Sequence, residues 1–163
     1  MDRKDVKLMK VLFVCTGNTC RSPMAEGILK KMLKKAGIED VEVASRGLAA
    51  SLGKPVSENA FLALGEKHIR IGNHVVRQLG REDIVESDLI LTMTKSHAYR
   101  VFSMFAQKDR HIYTLKDFAG GYQERDIDDP FGGSLQDYRK CAIEIETALK
   151  KGFDKIIEYR KGE

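Results

Sequence analysis

Short apolar runs alternate with helical hydrophobic periods along this chain, and that alternation predicts a fold before any chemistry is considered. Val11, Leu12, Phe13 and Val14 form a continuous apolar run, the pattern of a strand covered on both faces. Behind it, Met24, Ala25, Ile28, Leu29, Met32 and Leu33 recur on one helical face, and Gly37 supplies a stop. Val41 to Ala44 reads as a second strand, and Ser57 as the N-cap of a helix carrying Phe61, Leu62, Leu64 and His68. A third buried strand is expected over Asp88 to Met93, a helix over Ala98 to Phe105, and a fourth strand over His111 to Leu115. The last helix runs from Gln136 to Tyr159, with Tyr138, Ala142, Ile145, Leu149, Phe153 and Ile156 as its apolar stripe. Strands alternating with helices imply an α/β fold, a single doubly wound domain of about four parallel strands with helices on both faces. Ligands of such sheets bind beyond the carboxyl ends of the strands. Two segments therefore draw attention: the one after Val14, and the one from Asp126 to Ser134.

Composition narrows the class. A chain of 163 residues builds one domain without covalent staples. Met9 directly precedes the first strand, so residues 1–8 read as a dispensable, disordered N-terminal extension and 9–163 as the domain. No window approaches the ~18 continuous apolar residues of a membrane span, and Met1 to Lys10 lack the apolar run of a signal peptide. An odd count of three cysteines argues against a disulfide framework and for a reducing, cytoplasmic compartment. The net charge of +4 is spread out, and Lys30, Lys31, Lys34 and Lys35 fall at the spacing of a solvated helix face. Aromatic residues are few and scattered, so no nucleic-acid surface is expected, and the surplus charge favours anionic substrates.

The segment after the first strand reads Cys15-Thr16-Gly17-Asn18-Thr19-Cys20-Arg21-Ser22-Pro23. Gly17 and Asn18 can adopt backbone conformations closed to most residues, letting successive N–H groups converge on an anion. Ser22 is a good N-cap and Pro23 suits a first helical turn, which aims the positive end of the helix dipole at the loop. Arg21 offers a planar fork for two phosphate oxygens. In that field Cys15 is expected to lose its proton well below the free-thiol value of about 8.5 and to act as a nucleophile. Ser22 is close enough in sequence to donate to the thiolate. A nucleotide P-loop is excluded here, because no Gly-Lys-Ser/Thr follows and the loop is too short.

Phosphoryl transfer to sulfur also needs an acid for the leaving group and then a base for water. Asp129, in Asp128-Asp129-Pro130-Phe131-Gly132-Gly133-Ser134, is the candidate, with Phe131 as an apolar wall. On chemistry alone, an acidic surface turn with both aspartates solvated stands equally open.

Together, Cys15 to Glu26 and Asp129-Pro130-Phe131-Gly132 resemble the low-molecular-weight protein tyrosine phosphatase family, and the similarity extends from Met9 to the final helix. The resemblance implies a phosphocysteine on Cys15, phosphate bound by Arg21 with Thr16, Gly17, Asn18, Thr19, Cys20 and Ser22, and Asp129 as acid and then base. It further implies a loop scaffold of Asn18, Ser45 and His74, and a Cys15–Cys20 disulfide that shields the nucleophile from deeper oxidation. His68, His97 and His111 read as ordinary helix or strand residues, and Cys141 as packing. No metal site and no cofactor are expected. The expected partner is a phosphorylated protein substrate, with no nucleic acid and no membrane, and the chain is expected to be a monomer.

Thr19 and Phe131 bear on the substrate. Phosphotyrosine members carry a bulky aliphatic residue in place of Thr19 and a tyrosine pair after Asp-Pro, whereas this chain is similar to the bacterial branch that hydrolyses phosphoarginine. A dedicated phosphotyrosine phosphatase stays open as the alternative. An arsenate reductase is disfavoured because only Cys141 is left to relay a disulfide outward, and a non-catalytic phosphate-binding module because Cys15, Arg21 and Asp129 are all present.

Overall fold

The apolar runs pair into one parallel sheet of four strands, in the order β2-β1-β3-β4. The computed structural model describes residues 7–104 and 111–160. Along the chain the elements are β1 (Met9–Cys15), α1 (Arg21–Lys35), β2 (Val41–Gly47), α2 (Glu58–Gly65), α3 (Arg81–Glu86), β3 (Leu89–Thr92), α4 (Lys95–Met104), β4 (Ile112–Thr114), α5 (Leu115–Ala119) and α6 (Leu135–Arg160). β1 is central, its Cys15 opposite Gly47 of β2 and its Val14 opposite Thr92 of β3.

Successive strand side chains point to opposite faces, so β1 feeds two cores. Val11, Phe13 and Cys15 join Met24, Ile28 and Leu29 of α1 and Ala142, Ile145 and Leu149 of α6. Leu12 and Val14 join Ile84 of α3, Ile90 of β3 and Val101 of α4. Burial on both faces explains why the first run carries no polar alternation. Full burial of Phe13 alone contributes about 1.5–3 kcal/mol.

Several boundaries differ from those read in the sequence. β2 continues past Ala44 through Ser45 and Arg46 to Gly47. α2 is capped by Ser57, whose side chain accepts from Ala60 N, but it stops at Gly65, leaving His68 outside in a left-handed conformation (φ 60°). The chain turns there because Ile69 and Ile71 are drawn back into the core. α4 begins earlier than expected, at Lys95, and Phe105 lies outside the described residues. α3 and α5 carry too few residues for a helical period to register in sequence. Of the expected extension 1–8, Lys7 and Leu8 are described and exposed.

Gly47 ends β2 against the loop that follows β1. A Cβ there would lie 2.7 Å from the Thr16 carbonyl oxygen and 3.0 Å from Cβ of Asn18. Backbone cannot yield as a side chain can, so Gly47→Ala is expected to cost about 1–3 kcal/mol. Urea unfolding of both proteins followed by circular dichroism checks it; equal midpoints would mean that the loop moves freely.

Candidate active site

Where β1 runs out, five residues, Thr16 to Cys20, turn the chain into α1. The helix starts at Arg21 with Cys20 in the capping position and no side-chain cap. Ser22 is thus not the N-cap expected from sequence but lies inside the first turn, with Pro23 beside it. Its hydroxyl turns inward, 2.8 Å from Cys15 Sγ. The left-handed conformation falls on Asn18 (φ 58°) and not on Gly17.

Asn18 is fully buried and uses its whole side chain. Nδ2 donates to Ser22 Oγ at 2.8 Å and to Ser45 Oγ at 3.0 Å. Oδ1 accepts from the Arg77 backbone N–H and from His74 Nε2, each at 3.1 Å. Ser45 in turn donates to Glu26 Oε1 at 2.7 Å, and His74 Nδ1 lies 3.9 Å from the same carboxylate. The three scaffold candidates therefore meet in space. Glu26 completes the group, a part that sequence reasoning had not assigned to it.

Arg21 joins this loop to the second segment. Its buried guanidinium donates from Nη1 to Ile127 O at 2.8 Å, and Nη2 lies 3.4 Å from Asp129 Oδ2. The second segment is itself pinned: Ile127 N donates to Met93 O, and Lys95 N to Asp126 Oδ1 at 2.8 Å. Lys116, buried and unremarked in the sequence, donates to Asp126 O at 3.2 Å and pairs with Glu144 at 2.5 Å. A charged side chain buried with two satisfied partners is costly to disturb.

Cys15, Thr16, Gly17, Thr19, Cys20 and Arg21 line one side of a cavity of about 220 Å³, and Asp129 and Phe131 line the other. Asp128 does not line it, which separates the two aspartates. Phe131 is 76% exposed at the rim. A larger cavity of about 750 Å³ lies between Phe61, His68 and Asn73 and is lined by none of the sequence-predicted site residues, which gather at the smaller one. Cys20 is buried, its Sγ 3.2 Å from Tyr138 Oη and 3.5 Å from Thr19 Oγ1. The cysteines at 15, 20 and 141 are all free.

Two expectations need correction. Burial pushes the Cys15 thiol up and is the largest influence on it; hydrogen bonds from Ser22 and Asn18 and the Arg21 charge pull the other way without cancelling it. The sequence reading counted only the groups that favour the thiolate. The second concerns His97, which is no ordinary helix residue. It is buried, its Nε2 lies 2.9 Å from Thr16 Oγ1, and burial together with the Arg21 charge lowers its pKa to about 4. Nothing in its helical position announces that contact, because Thr16 and His97 are 81 residues apart.

A loop of this kind can hold a tetrahedral oxyanion on Arg21 and backbone N–H groups, present a sulfur nucleophile beneath it, and offer a carboxyl group from the opposite side. A family model described as low molecular weight phosphotyrosine protein phosphatase matches residues 10–161. A protein-arginine-phosphatase of Bacillus subtilis is 41% identical over 143 residues, covering 88% of this chain and 93% of that protein. The low molecular weight protein-tyrosine-phosphatase PtpB of Staphylococcus haemolyticus is 43% identical, covering 88% and 96%. Among solved structures, a cysteine-to-serine mutant of the YwlE arginine phosphatase with a phosphorylated active-site serine superposes with a TM-score of 0.88. It is 37% identical, covering 95% of this chain and all of that one.

Because the Ser22 hydroxyl can donate to a thiolate, its loss should raise the Cys15 pKa. The pH midpoint for alkylation of Cys15 by iodoacetamide is expected to move upward in Ser22→Ala, as measured by mass spectrometry of the loop peptide. A midpoint that stays put or falls would remove Ser22 from that role.

Proposed function

The chain belongs to the low molecular weight phosphotyrosine protein phosphatase family, and we propose that it hydrolyses phosphorylated proteins through a phosphocysteine on Cys15, with phosphoarginine the favoured substrate. The observation that carries the reading is the single cavity in which Cys15, Arg21 and Asp129 converge.

In the first step the Cys15 thiolate attacks phosphorus, a P–S bond forms, and the bond to the leaving oxygen or nitrogen breaks. Arg21 and the loop N–H groups balance the charge on the phosphoryl oxygens. Asp129, half-exposed across the cavity, gives its proton to the leaving atom. In the second step Asp129, now a carboxylate, takes a proton from water; the water oxygen attacks phosphorus and the P–S bond breaks. Ser22 steadies the departing thiolate from 2.8 Å. Arg21 is 3.4 Å from Asp129 Oδ2, so a phosphate seated on the guanidinium takes over that pairing and leaves Asp129 to face the leaving group.

Relatives named for phosphoarginine and for phosphotyrosine are about equally similar to this chain, so overall identity does not choose between them. Thr19 supports phosphoarginine. It lines the cavity, and its hydroxyl can accept from a guanidinium N–H, whereas a branched aliphatic side chain would pack on an aryl ring and desolvate the guanidinium. Dedicated phosphotyrosine hydrolysis is the second reading, favoured by a relative of that name at 43% identity, and the exposed Phe131 ring at the rim serves as a wall for either substrate. A thiol relay of the arsenate-reductase type is disfavoured because burial pushes the remaining thiol, Cys141, up to about 12.

The free, buried Cys20 extends the reading to redox control. A Cys15–Cys20 disulfide, formed with loss of two electrons and two protons to a peroxide, would block turnover until a thiol reduces it. A reducing cytoplasm fits three unpaired cysteines.

Two measurements test these assignments. Asp129→Asn is expected to slow poor leaving groups by roughly 10²–10⁴-fold and good ones less; equal losses, or a larger loss from Asp128→Asn, would assign the acid wrongly. With phosphoarginine and phosphotyrosine peptides assayed side by side, Thr19→Ile should raise the phosphotyrosine-to-phosphoarginine ratio of kcat/KM by about tenfold or more. An unchanged ratio would hand the assignment to phosphotyrosine.

A further inference from the structure

His97 is buried, yet only one of its two ring nitrogens has a partner. Nε2 meets Thr16 Oγ1 at 2.9 Å, while Nδ1 is buried with none among the described residues. An unpaired polar atom in the interior is costly, and an apolar side chain would fill the same space without that cost. The polarity at this position is therefore directed at Thr16.

The two nitrogens are not equivalent. Buried N–H groups without an acceptor are rarer than buried acceptors without a donor, so the proton belongs on Nε2 and the bare lone pair on Nδ1. The ring then donates to Thr16 and occupies one of its lone pairs. Thr16 is exposed, lines the cavity, and has no other hydroxyl partner among the described residues. Its own hydrogen is left to point away from the imidazole, on the open side.

We propose that His97 is a positioning residue for the reaction: it donates from Nε2 to Thr16 Oγ1 and so turns the Thr16 hydroxyl hydrogen toward the phosphoryl group in the cavity. Thr16 becomes a further donor to the phosphoryl oxygens beside Arg21 and the loop N–H groups. The inference rests on the phosphatase reading above and adds to it a pair of residues that act through one hydroxyl. The arrangement needs a neutral ring. Burial, Arg21 of α1 and Arg100 of α4 all disfavour the imidazolium, against Asp126 and Asp129 of the facing segment, and the pKa falls to about 4.

The experiment compares wild type with His97→Leu, Thr16→Val, the double variant and His97→Gln. Turnover of p-nitrophenyl phosphate and calorimetric binding of inorganic phosphate are both measured. His97→Leu and Thr16→Val should each lower kcat/KM by about tenfold and weaken phosphate binding, and the double variant should be no worse than either. In His97→Gln the side-chain amide reaches the place of Nε2 and should recover most of the loss. Multiplying losses in the double variant, a glutamine no better than leucine, or an indifferent Thr16→Val would reduce His97 to packing and overturn the proposal. Wild-type turnover tests the phosphatase reading separately, and phosphate binding decides the present proposal even without turnover.

The neutral ring has its own readout. A histidine whose folded pKa is about 4, below its ordinary 6.5, binds its proton more readily in the unfolded chain. Wild type should then lose stability relative to His97→Gln as pH falls from about 6.5 to about 4. A stability difference that stays flat across that window would also overturn the assignment.

Discussion

Everything at the site depends on Asn18, a polar side chain buried at the centre of the five-residue turn between β1 and α1. Its two amide hydrogens go to Ser22 and Ser45, and its carbonyl oxygen accepts from Arg77 N and His74. That accounts for its hydrogen-bonding capacity. It also holds a left-handed backbone that costs a non-glycine residue on the order of 1 kcal/mol or more. Glycine would adopt the backbone but offer no side chain, and an apolar residue would take one hydrogen-bond partner from each of four neighbours. The consequence reaches the nucleophile. Ser22 accepts from Asn18, so its own hydrogen is free for Cys15. The same logic recurs on the other side of the loop, where His97 donates to Thr16 and frees the threonine hydrogen.

The second constraint is electrostatic. The site buries its thiol, which opposes ionisation, and then surrounds it with groups that favour the thiolate. The contacts that favour the thiolate are chiefly those of Ser22 and Arg21. Arg21 is shared among three tasks: it favours the thiolate, ties the loop to Ile127, and pairs with Asp129. The segment that carries Asp129 has little regular structure of its own. It is held by Met93 O, the first turn of α4 and the buried Lys116–Glu144 pair, so a rigid sheet and helices carry a segment that would otherwise wander.

Parts of this were legible in the sequence because they are local. The continuous run Val11 to Val14 can only be a strand buried on both faces, and β1 has two cores against it. The stripe on α6 needs only a period, and its buried residues include Tyr138, Ala142, Ile145, Leu149 and Ile156. A cysteine and an arginine with five residues between them at a strand-to-helix turn carry an anion-binding chemistry within nine residues of chain. Short helices such as α3 and α5 span fewer than two turns and leave no repeating trace, and the end of α2 was set by the burial of Ile69 and Ile71 instead of by helical propensity.

The sequence by itself determined the class of fold, the loop that carries Cys15 and Arg21, and the pair of aspartates beside Pro130. Tertiary structure alone decided which aspartate lines the cavity, that Ser22 faces sulfur instead of capping its helix, that Glu26 completes the scaffold, and that His97 meets Thr16. The physical reason is that a helix or strand is specified by residues one to four positions apart. Burial and hydrogen-bond partnership are set by groups that meet only when the sheet closes, 81 residues apart for Thr16 and His97 and 106 for Arg21 and Ile127.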